Sequence, residues 1–217
     1  MIVDLHLKGN LVIVVGSGNE GMKKVRSLLT QDCEILVISS SSNPQITKYA
    51  KHVKVKFKKI KLNGASFLSK YKPYLVMAAT TDRTLNRKIV EKARKMKAYV
   101  YASDDPDNTD FAHPSVINIA DTIQVAVSTG GSSPSMARKI KIKTESFLKK
   151  NISNEDIYQI KLQKFARFEA KQVLSTQLDR KKFLYGVMND KRVKGLLKEG
   201  KYRTAQVRVK KMLRELK

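Results

Sequence analysis

Apolar positions along the first 105 residues switch between two periods. Leu11-Val-Ile-Val-Val15 is an unbroken apolar run that stops at Gly16, the pattern of a strand buried on both faces. Met22, Val25, Leu28 and Leu29 then fall at helical spacing, with lysines and Arg26 between them. Glu34 to Ile38 predicts a second buried strand, ending in the serine run Ser39–Ser42. From Val53 to Lys59 apolar residues alternate with lysine, so this strand belongs nearer an edge. Tyr74 to Ala79 is another buried run. Asp82 to Lys95 puts Leu85, Ile89, Val90 and Ala93 on one helical face, and Ala98 to Ala102 is a further strand.

Strands alternating with helices imply right-handed crossovers and a parallel sheet covered on both faces. The rhythm breaks at Asp104-Asp105-Pro106, read as a loop leaving the carboxyl edge of a central strand. Ser115–Ile119 and Thr122–Ser128 predict two strands around a turn near Asp121. A helix follows from Ser133 to Lys150, with Pro134 at its first position. From Ser153 onward there is no proline and the periodicity is helical, which predicts a bundle of three or four helices. The expected order is an α/β domain over 1–112, a small α+β segment over 113–150 and a helical domain over 151–217.

Charge adds a constraint. The 217 residues carry 44 Lys and Arg against 19 Asp and Glu, a formal net charge of +25. The excess is densest over 151–217, with 18 basic and 7 acidic residues. Such a surface suits a polyanion: nucleic acid, an anionic membrane or a polycarboxylate. The longest apolar run, Tyr74–Ala79, has six residues, whereas a membrane-spanning helix needs roughly 20. The start Met1-Ile2-Val3-Asp4 does not read as a secretory signal. A single cysteine, Cys33, excludes an intrachain disulfide and a cysteine-cluster metal site, and fits a reducing cytoplasm.

The strongest local motif is Gly16-Ser17-Gly18-Asn19-Glu20-Gly21, which follows a buried strand and opens a helix. In a Rossmann-type sheet the first glycine makes the tight turn. The second lets the backbone approach a pyrophosphate, and the third lets the helix pack on the strand. Free amides at the helix start then face the phosphates. The second strand ends in Ser39, Ser40 and Ser41, where an acid that binds the ribose hydroxyls is usual. Serines leave NAD and NADP both open.

Three further segments carry a resemblance. Ala78-Ala-Thr-Thr-Asp82 with Leu85-Asn86 stands at the end of the fourth strand. Asp104-Asp-Pro106 with Phe111 and Pro114 follows the fifth. Val127-Ser-Thr-Gly-Gly-Ser-Ser-Pro134 with Ala137-Arg138 follows the hairpin. In this order, with the glycine loop, the chain resembles the precorrin-2 dehydrogenase family, which includes the dehydrogenase module of siroheme synthases and the dehydrogenase–ferrochelatases. The resemblance covers residues 1 to about 150. It implies an NAD-dependent enzyme oxidising precorrin-2 to sirohydrochlorin in siroheme biosynthesis and a homodimer built through 113–150, and it leaves iron insertion open as a further activity. It places the acid–base residue at Asp104. Cofactor contacts fall on Gly16, Ser17, Gly18, Asn19, Glu20 and Gly21, on Ser39, Ser40 and Ser41, and on Thr80, Thr81, Asp82 and Asn86. The tetrapyrrole cleft falls at Ser128, Thr129, Gly130, Gly131, Ser132, Ser133 and Arg138. Glu20-Gly21 departs from the Val-Ala common in the family, and Asp105 is an extra acid beside Asp104.

The substrate so implied is a polycarboxylate, which accounts for basic character around a cleft. Arg138, Lys139, Lys141 and the lysines of 51–61 are candidates to hold it. Asp104, after a strand's carboxyl end, stands where open α/β sheets bind ligands and could take a proton there. His113, beside Pro114, is a candidate for metal or proton handling. No metal site is assigned, and neither a nucleic-acid nor a membrane partner is expected. Three other classes share features with the chain. A nucleotide-binding regulatory module would have the glycine loop but not the Ser-Thr-Gly-Gly-Ser-Ser-Pro stretch. A nucleic-acid binder would use the basic tail, which is poor in aromatics for base stacking. A glutamyl-tRNA reductase-like protein would need a catalytic cysteine, and Cys33 is badly placed for that.

Overall fold

The computed structural model describes residues 2–216, which form two compact units divided between His113 and Pro114. In the first, β1 (Leu11–Val15), β2 (Glu34–Ser39), β3 (Val55–Lys59), β4 (Leu75–Ala78) and β5 (Tyr99–Ala102) form one parallel sheet in the order β3-β2-β1-β4-β5. The helices between them are α1 (Asn19–Leu28), α2 (Pro44–Tyr49) and α3 (Arg83–Lys95), with a 3-10 turn at Ser66–Lys70 before β4. This is the doubly wound Rossmann-type arrangement. The chain runs outward from β1 to β3, then returns to the other side of β1 for β4 and β5.

The apolar runs form central strands because both faces of the sheet are covered. On one face Val12, Val14, Ile35, Val37, Leu75 and Met77 pack with Met22, Val25 and Leu28 of α1 and Ile46 of α2. On the other, Ile13, Val15, Leu36, Ile38, Val76 and Ala78 pack with Leu85, Ile89, Val90 and Ala93 of α3. Burying a side chain of this kind stabilises by about 1.5–3 kcal/mol. Lysine alternation placed β3 at an edge, and it is one. The expectation that Asp104 leaves a central strand is corrected: β5 pairs only with β4 and is the other edge. Four short apolar residues look alike whether one neighbour or two flank them, so the sequence did not reveal this.

In the second unit β6 (Ser115–Ile119) and β7 (Ile123–Val127) form an antiparallel hairpin. Its turn has Ala120 and Asp121 both at positive φ, with the Thr122 amide donating to the Ile119 carbonyl, as in the mirror-image turns that suit hairpin twist. Next come α4 (Pro134–Asn151), α5 (Asn154–Val173), α6 (Gln177–Asn189), α7 (Lys191–Lys198) and α8 (Tyr202–Arg214). Ser133 caps α4, and Ser153 with Asp156 forms a capping box on α5. Helices α5 to α8 share a core of Leu162, Ala166, Ala170, Phe183, Val187, Leu197, Val209 and Leu213. Among the described residues no helix is long and apolar enough to cross a membrane.

Candidate functional site

The chain's reversal between β1 and β4 sets the site. Gly16 ends β1 at φ +108, a conformation that L side chains rarely adopt, and a methyl group there would lie 2.3 Å from the Ala79 carbonyl oxygen. The Ala79 amide in turn donates to the Val15 carbonyl, so the ends of β1 and β4 are locked together. A methyl on Gly21 would come within 2.0 Å of the Gly16 carbonyl oxygen, so the third glycine lets α1 close onto the loop. Gly18 differs. A methyl there would meet nothing within 4 Å, and Gly18 begins α1 with no side chain capping its amides. Open space in front of free helix amides is the cradle a pyrophosphate requires. The residues therefore fit a dinucleotide. Glu20, the departure noted above, is exposed and paired with Lys23 at 2.6 Å.

The serine run is tied to this loop. The buried Ser17 hydroxyl donates to the Ser41 carbonyl at 2.7 Å and lies 2.9 Å from the Ser39 hydroxyl. Ser40 is exposed at the strand's end. Asn43, which sequence reasoning missed, completes the knot. Its amide donates to the Ser17 carbonyl while its oxygen caps α2 through the Ile46 amide at 2.9 Å. Its signal was there: an Asn directly before a proline that opens a helix.

Beyond β4, Asp82 caps α3 by accepting from the Leu85 amide at 2.9 Å, and Thr81 is exposed beside it. Asn86, 1% exposed, faces two ways. Its oxygen accepts from the Thr80 hydroxyl at 2.6 Å and the Thr80 amide at 3.3 Å. Its nitrogen donates to the Thr80 carbonyl at 3.1 Å and to the Asp104 carboxylate at 2.8 Å. Asp104 is half-buried just past β5. A cleft of about 240 Å³ opens beside it, lined among others by Arg83, Arg87, Arg94 and Asp105. Asp105 accepts from Asn108 at 2.8 Å and Arg94 pairs with Asp110 at 3.2 Å, while Arg83 and Arg87 form no ion pair with the described residues.

On the α1 face, His113 packs edge-on against Tyr101 at 5.0 Å and beside Phe111. It keeps an exposed edge, yet desolvation and the nearby Lys24 ammonium push its pKa down to about 4. It is therefore a neutral imidazole at physiological pH. Lys24 is itself buried over the Tyr101 ring at 4.2 Å, and that burial lowers its pKa to about 8. Among the described residues no group of three or more His, Cys, Asp or Glu could hold a metal ion. The Ser128–Ser133 stretch and Arg138 belong to the second unit. There Thr129 and Ser133 exchange hydrogen bonds at 3.1 Å, Gly130 and Gly131 take positive φ, and Arg138 is exposed on α4.

A glycine cradle at the switch point of a doubly wound sheet defines a dinucleotide-binding α/β protein. A family model described as "Putative NAD(P)-binding" matches residues 3–115, more than half of the sequence, and the chain belongs to that NAD(P)-binding family. Curated relatives include siroheme synthase 2 of Aeromonas salmonicida (strain A449), 28% identical over 204 residues, 93% of this chain and 40% of that protein. Another is the siroheme synthase of Neisseria meningitidis serogroup C (strain 053442), 31% identical over 66% of this chain and 29% of that protein. The chain thus spans two-fifths or less of the length of these relatives. The solved structure of SirC, a precorrin-2 dehydrogenase, has the same fold, with TM-score 0.66 over 97% of this chain and 99% of that one at 19% identity. The resemblance to the precorrin-2 dehydrogenase and siroheme synthase family is borne out. It also runs past residue 150 into the tail, where the sequence offered only helicity and length.

Proposed function

We propose that this protein oxidises precorrin-2 to sirohydrochlorin, a step of siroheme formation, with NAD+ as the hydride acceptor. One observation carries the reading. A half-buried carboxylate, Asp104, is held by Asn86, which is itself bonded to Thr80 of the turn against which the glycine loop packs. NAD+, when bound, supplies the hydride acceptor. The chain's part is to bind, to orient and to move a proton. Gly18 and the amides opening α1 hold the pyrophosphate, Ser40 and Ser41 meet the ribose hydroxyls, and the turn at Thr80–Asp82 borders the nicotinamide half. Asp104 takes the proton that the substrate loses, through the oxygen that Asn86 leaves free. Ser128–Ser133 and Arg138 contact the polycarboxylate substrate, and Arg83 and Arg87 beside Asp104 add positive charge to receive it.

The protein works as a homodimer, with the hairpin and α4 as the contact between copies. A lone hairpin and helix leave Ile142 59% and Phe147 63% exposed. A reducing cytoplasm suits its single thiol, whose pKa burial raises. The test is anaerobic incubation with precorrin-2 and NAD+ or NADP+, following sirohydrochlorin absorbance. Wild-type turnover should fall by about 100- to 10,000-fold in Asp104→Asn, with the fold intact. No turnover with either dinucleotide, in folded protein, sinks the proposal. Adding ferrous iron as substrate to the same incubation reports whether Asp104 also serves metal insertion.

A further inference from the structure

We infer that Asn86 is the positioning residue of Asp104 and not a contact to the dinucleotide, an inference that rests on reading Asp104 as the base. The argument begins with the orientation of the amide. A backbone amide can only donate, so the end of Asn86 facing the Thr80 N–H must be its oxygen. The nitrogen therefore faces the Thr80 carbonyl and Asp104. Both hydrogens and both lone pairs of the amide are then used, in a side chain only 1% exposed. Nothing remains to offer a cofactor. A buried amide whose four capacities are all met is held in a single orientation, because turning it would leave several polar atoms unpaired.

Asp104 inherits that rigidity. It lies beyond the last residue of an edge strand, in a loop that would otherwise leave its carboxylate free to swing. Asn86 sits in the first turn of α3, whose start is pinned by the Asp82 cap and whose face is packed into the core by Leu85 and Ile89. One carboxylate oxygen is anchored to this frame at 2.8 Å and the other is left to meet the substrate. The frame is also the floor of the phosphate loop, because Gly16 closes against Ala79 and Thr80. The acid and the cofactor cradle thus share one turn, which fixes the distance between proton acceptor and hydride acceptor.

The experiment separates holding the acid from holding the cofactor. In Asn86→Ala, kcat should fall about 100-fold, the scale of a misplaced catalytic group. NAD+ affinity by calorimetry should fall far less than kcat, and adding Asn86→Ala to Asp104→Asn should cost nothing further. NAD+ affinity falling in step with kcat, or losses that multiply in the double variant, would overturn the inference. A second measurement does not depend on Asn86→Ala folding or on turnover. The side-chain amide resonance of Asn86 should move in Asp104→Ala, and an unmoved resonance also overturns it. An inactive wild type whose Asn86 resonance still moves sinks the dehydrogenase reading and leaves the contact standing.

Discussion

The sheet of the first unit and the hairpin with α4 in the second are built to different degrees of self-sufficiency. The sheet buries both faces within one chain, and the apolar side chains of its central strands, over 12–15, 35–38 and 75–78, have almost no exposure. Across β6, β7 and α4 only Ile117 and Ala137 are buried. Val116, Met136, Ile140, Ile142 and Phe147 remain exposed. The same apolar residue types thus do different work. In the sheet they complete a core, whereas on α4 they form a surface that a second copy would cover. Glycines differ in parallel. Gly16 is enclosed by backbone, while Gly130 and Gly131 have no atom within 4 Å of where a methyl would stand.

The glycine contrast carries the largest expected effect. Gly16→Ala must push the Ala79 carbonyl away and hold φ near +108, which should destabilise the protein by at least about 3 kcal/mol. Gly131→Ala meets open space and bears only the strain of its positive φ, about 1 kcal/mol. Thermal or urea unfolding of the two variants measures the gap, and equal losses would break the comparison. Next comes the exposed face of α4. Phe147→Asp should weaken self-association roughly a hundredfold, about 3 kcal/mol, while NAD+ affinity stays the same. Sedimentation equilibrium decides it. A variant that associates as tightly as the wild type would show that α4 is covered by something other than a second copy.

Legibility in the sequence follows the same division. Strands β1, β2 and β4 announced themselves because burial on both faces demands continuous apolar runs, and β3 announced its edge through alternating lysines. The glycine loop was legible because its three glycines answer to separate constraints, two of them steric and one an open approach. Helix α2 and the 3-10 turn at Ser66–Lys70 were not predicted. Each is too short to establish a period, and α2 is marked only by Asn43 and Pro44. The residues after β4 were found but their division of labour was not. Asp82 caps a helix through a local contact to the Leu85 amide, and Asn86 holds Asp104 through a contact that exists only once β5 lies beside β4. The strand pattern and the family resemblance could place a carboxylate near the site. It could not show which oxygen of that carboxylate is anchored.

The smallest effect tests how tightly the first unit is sealed. Lys24 is 8% exposed beneath α1, with the Tyr101 ring as its neighbour and a pKa lowered to about 8, first by burial and then by Lys23, against the pull of Glu20. The unfolded chain keeps this lysine at its ordinary value near 10.5. Below pH 8 both states carry the proton, and the folded state bears the full cost of a buried charge. Between pH 8 and 10.5 the folded state releases the proton while the unfolded state keeps it, so the Lys24 contribution makes stability rise with pH in that window. The cost is at most about 3 kcal/mol at neutral pH, and the ring offsets some of it. Lys24→Met should therefore stabilise the protein at pH 7 by about 1–2 kcal/mol, with an advantage that shrinks as pH climbs from 8 to 10. Other lysines and tyrosines titrate in the same range, so the quantity to follow is the difference between variant and wild type in urea unfolding at each pH. A difference that stays flat across the window would mean that Lys24 reaches water, and that the face under α1 is less closed than the face under α3.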